Sequence, residues 1–139
     1  MPIQWTTAMA LGSPELDGQH LQLDANLRLL HDALVEGRAP DLAQVLAGVR
    51  AFATSHFPAE ERLMEEAGAE ELPRHRAEHL RFGSELARFE ALQRARGDAL
   101  PIAMELGNFL TSWIREHQQH DAPLRRLLAR RGPAALGGG

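Results

Sequence analysis

The sequence predicts an all-α protein, an up-down-up-down antiparallel four-helix bundle with an extended N-terminal arm and a short C-terminal helix. Three observations carry this prediction. Apolar residues recur at three- and four-residue spacing through most of the 139 positions, which is the period of a helix face. Gly/Pro signals at Gly37–Pro40, Gly68–Pro73 and Gly97–Pro101 divide these runs, each short enough to make successive helices antiparallel neighbours. Histidines and acids fall on the same inward stripes as the apolar residues, so polar chemistry is expected inside the bundle.

Residues 1–14 have no helical period and carry Gly12, Ser13 and Pro14, so they read as the arm, anchored on the bundle by Trp5. The first helix is expected over about 17–36, with Leu16, His20, Leu23, Leu27, Leu30 and Leu34 on one face. The second follows Asp41, a good N-cap, and runs to about Ala67. Its stripe is Leu42, Leu46, Val49, Phe52, His56, Glu60, Leu63 and Met64. Because the stripe continues past Pro58, the helix is expected to pass through that residue with a kink. The third helix is expected from Pro73 to Arg96, inward through His75, His79, Phe82, Leu86 and Phe89. The fourth begins near Asp98–Pro101 and proceeds through Leu106, Phe109, Leu110, Trp113 and Ile114 to His117 and Asp121. Pro123 is expected to interrupt it, leaving 124–132 as a short amphipathic helix. Residues 1–132 form one expected domain and 133–139 a flexible tail.

Composition removes several function classes. A net charge of −4 with no basic tract argues against nucleic acid as a partner. The absence of cysteine excludes disulfides, thiolate zinc sites, iron–sulfur clusters and cysteine catalysis. No apolar run approaches the ~18–20 residues that span a bilayer, and the N-terminus lacks a charged-then-apolar signal. No membrane insertion and a cytoplasmic location are the resulting expectations, with the chain a monomer or weak homo-oligomer.

The chemistry concentrates in HFPAEERLMEEAGAEELPRHRAEH, residues 56–79. It opens with His56 and Glu60 and closes with His75 and His79, each pair four residues apart and so on one helix face. His20 and His117 bring the inward imidazoles to five, on four helices. Asp121 joins Glu60 as a second inward acid one turn after a histidine. A lone histidine on an apolar stripe is more often a hydrogen-bonded core residue than a ligand, and arginine is abundant enough to pair with buried acids. Here, however, the inward neighbours of the acids are apolar residues or histidines. A buried, unpaired carboxylate costs several kcal/mol, so a cation is the expected partner. Seven nitrogen and oxygen donors exceed the four of one zinc and suit two ions of iron, manganese or zinc. Neither Glu-x-x-His nor His-Glu-x-x-His occurs, which sets aside the carboxylate-rich di-iron bundles and the zinc proteases. His31 and His120 lie off the stripes.

Trp5, LDGQHLQL with Asp17 and His20, Asn26, HFPAEERLM, HRAEHLRF, and WIREH followed by an acid occur in an order and spacing that resembles the bacterial hemerythrins, over residues 5–124. The resemblance implies an up-down four-helix bundle around two non-haem iron ions that bind O2 reversibly. Carried over position by position, it implies that His75, His79 and His117 bind one iron and His20 and His56 the other. Glu60 and Asp121 would bridge them, together with a solvent-derived oxo or hydroxo group. Phe57, Trp113 and Ile114 would wall the O2 pocket against water. In this chain the acid follows the last histidine by four residues where the family usually has five, and Ile114 stands where leucine is common. An oxygen carrier, storage or delivery protein is the implied function. The competing readings are a peroxidase or nitric-oxide-handling enzyme on the same centre, or an oxygen-sensing module, which would call for a partner domain.

Overall fold

A computed structural model describes residues 14–131, and side chains over 17–117. Four helices account for almost all of it: α1 (Pro14–Val35), α2 (Leu42–Ala67), α3 (Leu72–Arg96) and α4 (Leu100–Arg131). α1 packs on α2 and α4, and α3 on the same two, which is an antiparallel four-helix bundle. The arm before Pro14, Trp5 within it, the tail 133–139, and the side chains of His120 and Asp121 lie outside the described residues.

The helix ends follow local chemistry. Pro14 opens α1, a position where its missing N–H costs nothing. Asp41 caps α2 by accepting the Gln44 amide at 3.1 Å. Across the bundle, Asp98 accepts the Leu42 amide at 3.2 Å, tying the start of α2 to the α3–α4 turn. Gly68 ends α2 in the left-handed region, where residues with a Cβ are strained, and its neighbour Ala69 returns an N–H to the Met64 carbonyl. α2 continues through Pro58 as expected. The carbonyl that the proline leaves unbonded belongs to Thr54, which is on the exposed face.

One expectation is corrected. α4 does not stop at Pro123 with a separate helix after it, but runs unbroken from Leu100 to Arg131. A proline removes one backbone bond and crowds one carbonyl. The Leu-, Arg- and Ala-rich sequence beyond it is made of strong helix formers and carries the helix on.

The apolar core runs the length of the bundle, with Leu30, Leu42, Val49, Leu86, Leu106 and Leu110 fully buried. Phe52, Phe82 and Phe89 fill its centre. An ion pair between Arg50 and Glu90 joins α2 to α3 at the rim, with Nε 3.2 Å from one carboxylate oxygen. α1 and α2 pack tightly where Gly48 faces Asn26. A Cβ on Gly48 would lie 2.3–2.6 Å from the side-chain amide of Asn26, which itself donates to the Gln22 carbonyl. Gly48→Ala is therefore expected to destabilise the fold by about 1–3 kcal/mol through overpacking. In an Asn26→Ala background the same change should stabilise by up to ~1 kcal/mol, the difference in helix propensity. Urea denaturation of the four chains of this cycle measures the sign change; additive effects would place the constraint elsewhere.

Candidate metal centre

All the candidate ligands with described side chains come from one end of the bundle. They are the first turns of α1 and α3, the last turns of α2, and α4 beyond its midpoint. His56, Glu60, His75, His79 and His117 are buried, and His20 is half-buried. His31 is not part of this group; it lies against the α1–α4 groove with Leu27, Leu34 and Arg115.

Glu60 occupies the middle of the cluster, with no accessible surface. Its two oxygens face different histidines. Oε2 lies 2.9 Å from His56 Nε2 and 3.2 Å from His117 Nε2. Oε1 lies 3.4 Å from His79 Nε2 and 3.5 Å from His75 Nε2. These contacts are close but misdirected: both Glu60 oxygens and His79 Nε2 are buried without a partner in hydrogen-bond geometry. Burial alone pushes the Glu60 carboxyl up. The imidazoles, His117 foremost, outweigh it and hold the group well below the usual carboxylate range. Glu60 is thus an ionised carboxylate at the centre of four inward-turned imidazole nitrogens, two near each oxygen. Such an arrangement fits cations better than it fits itself.

The outward nitrogens explain the orientation of the rings. His79 Nδ1 meets Glu61 Oε2 at 2.7 Å, and His75 Nδ1 meets the Glu71 carbonyl at 3.4 Å. Both partners can only accept, so Nδ1 is the nitrogen that donates to them and Nε2 is the one turned inward toward Glu60. His56 Nδ1 meets Gln19 Oε1 at 3.0 Å in the same sense. Buried metal-binding histidines are held in this way, by acceptors on the far nitrogen. Spacing within the sequence pointed to none of Gln19, Glu61 or the Glu71 carbonyl. The nearest signal was that Glu61 adjoins Glu60.

His20 Nε2 lies 3.2 Å from His56 Nε2, which is 3.4 Å from His117 Nε2. These three donors converge within 4.8 Å of one another. His117 therefore sits on the His20–His56 side of Glu60, whereas the resemblance to hemerythrins assigns it with His75 and His79.

Aromatic rings hold the imidazoles from behind. Phe52 stacks on His56 and Trp113 on His117, each one turn earlier on the same helix, with centroids 4.8 and 4.4 Å apart. Phe57 stacks on His79 from across the helix pair at 4.0 Å. Phe57 and Trp113 thus stand against ligand rings, and Ile114 is a partly buried residue packed on the adjoining core. Phe52 was expected only as core, and its contact with His56 makes it part of the wall as well. A groove of about 280 Å³ between α3 and α4, lined by Glu78, Arg81, Phe109 and Ser112, reaches Trp113 and His117 from outside.

Residues 11–129 match the family model described as the hemerythrin HHE cation binding domain. The chain belongs to the hemerythrin family. Relatives named bacteriohemerythrin are similar over most of their length. The protein of Stenotrophomonas maltophilia is 30% identical over 84% of this chain and 74% of its own. That of Pseudomonas paraeruginosa is 28% identical over the same shares. That of Clostridium acetobutylicum is 23% identical over 81% of this chain and 90% of its own. Family membership and the buried His/Glu cluster agree on a cation-binding site within a hemerythrin bundle. Among the described residues, no helix is long and apolar enough to cross a membrane.

Proposed function

We propose that the protein binds O2 reversibly at a pair of non-haem iron ions, as an oxygen carrier or store and not as an enzyme. The observation that carries this is Glu60, a fully buried carboxylate with two imidazole nitrogens at each oxygen. A carboxylate placed in this way could serve two cations at once, and the sulfur-free donor set would suit iron. His20, His56, Glu60, His75, His79, His117 and Asp121 would hold the ions. When bound, two ferrous ions supply the electrons that reversible O2 uptake requires. The chain's own residues do the rest. Phe52, Phe57 and Trp113 pack against the ligand rings and keep bulk water from the donors. The Nδ1 acceptors fix the His56, His75 and His79 rings so that little reorganises on binding.

Two irons per chain are expected in protein reconstituted anaerobically with ferrous ion. Titration with O2 should then produce a visible absorption band that disappears when oxygen is removed. One zinc per chain with no capacity for two irons would sink the di-iron reading. A band that forms and decays with net consumption of peroxide or nitric oxide would move the protein to the enzymatic alternative.

A further inference from the structure

We propose that Glu61 is a positioning residue that makes the His79 side of the centre the more firmly held metal position. The inference deepens the metal-centre reading above and rests on it. The three Nδ1 contacts described for the cluster are chemically unlike. His56 meets a neutral amide oxygen on Gln19, and His75 a backbone carbonyl. His79 meets a carboxylate, at 2.7 Å, the shortest of the three.

Glu61 is fixed in that role from its other side. Arg76 on α3 places Nε 3.1 Å from Glu61 Oε1 while Oε2 holds His79. Arg76 also approaches Glu65 at 3.7 Å. The carboxylate therefore spans α2 and α3, and a ring on α3 is oriented by a residue on α2. Phe57 lies almost parallel to the His79 ring at 4.0 Å, with an interplanar angle of 5°, which leaves the ring only that plane.

Two consequences follow from the chemistry of an imidazole that donates to an anion. Its proton is confined to Nδ1, so Nε2 is permanently the inward donor. Electron density is also pushed toward Nε2, which makes it a stronger ligand than a ring donating to a neutral oxygen. The metal position served by His79 thus differs from the one served by His56 in ligand strength, whatever their ligand counts.

The test uses zinc on the full chain, because a redox-inert ion reports the donor set without invoking iron or oxygen. Apparent zinc affinity and the rate of zinc loss to a chelator are measured for the wild type, Glu61→Gln, Glu61→Leu and Gln19→Leu. ¹⁵N chemical shifts of the imidazole of His79 are recorded on the metal-free chains. Wild-type His79 is expected as the Nδ1–H tautomer. Glu61→Gln keeps an acceptor and the tautomer but should lose ~10–100-fold in affinity, the usual effect of mutating an outer partner of a ligand histidine, here by taking away its charge. Glu61→Leu should lose more and release the tautomer, and Gln19→Leu should leave His79 unchanged. An Nε2–H tautomer in the wild type, or wild-type zinc retention in Glu61→Gln, overturns the proposal. A merely structural Glu61 would lower the melting temperature of the metal-free chain in both variants while leaving the tautomer alone, which also overturns it. The two readings can fail separately. Absence of an O2 band with the zinc effects intact removes the oxygen function only, and a reversible O2 band with zinc retention unmoved removes only the role given to Glu61.

Discussion

Replacing Glu60 by alanine is expected to strip the protein of most of its iron. Four imidazole nitrogens lie within 3.5 Å of the Glu60 oxygens, two at each, so one change removes a donor from both halves of the cluster. Stability falls with the metal. A ligand present at 100 times its dissociation constant stabilises the folded state by about 2.7 kcal/mol, and a chain that cannot bind forfeits that contribution. Glu60→Gln separates the causes, since it preserves volume but supplies a neutral, weaker ligand. Iron content by elemental analysis, with thermal unfolding in the presence and absence of ferrous ion, measures both effects. The wild type should gain in melting temperature on loading, and neither variant should. A Glu60→Ala chain that retains two irons and the wild-type shift would show that this carboxylate is not a bridge.

The second large effect is expected at Asp121. In the unbroken α4, residue 121 follows His117 by four positions, about 40° around the axis and one turn further on. Residue 120 is about 300° around from His117 by the same geometry. We therefore expect Asp121→Ala to abolish the oxygen-bound absorption band. His120→Ala should leave iron content and O2 binding nearly unchanged. Iron analysis and O2 titration of the two variants decide it: if His120 proves essential and Asp121 dispensable, the acid of the family pattern is not carried by residue 121.

Much of the fold could be read from the sequence because the helix ends are written in local chemistry. Asp41 before an apolar run, Gly68 after one, and Gly97 before the last turn act within a few residues of themselves. The two internal prolines show the limit. Pro58 lies within a helix, as the stripe of His56, Glu60 and Met64 continuing across it implies. Pro123 has the local signature of a break, yet the helix formers beyond it sustain α4. Local rules state what a proline costs, but whether a helix survives that cost depends on its neighbours.

At the site, His56 with Glu60 and His75 with His79 were legible because ligand pairs on one helix face have a fixed spacing. Glu61 and Gln19 were not, because they reach their histidines across helix pairs, 18 and 37 residues away in sequence. No periodicity encodes a contact that exists only after two helices have docked. The grouping of His117 with His20 and His56 depends on the same docking.

The distribution of the donors along the chain has a consequence for the order of assembly. Four of them, from His56 to His79, belong to the single hairpin of α2 and α3, joined by a turn of only a few residues. Contacts of short sequence separation form early, since little loop entropy opposes them. His20 and His117 arrive from opposite ends of the chain and can reach the site only when α1 and α4 close over that hairpin. Metal uptake thereby becomes a late event that reports completion of the bundle. A nascent or misassembled chain offers a partial ligand set from which an ion readily escapes, whereas a fully closed chain retains it.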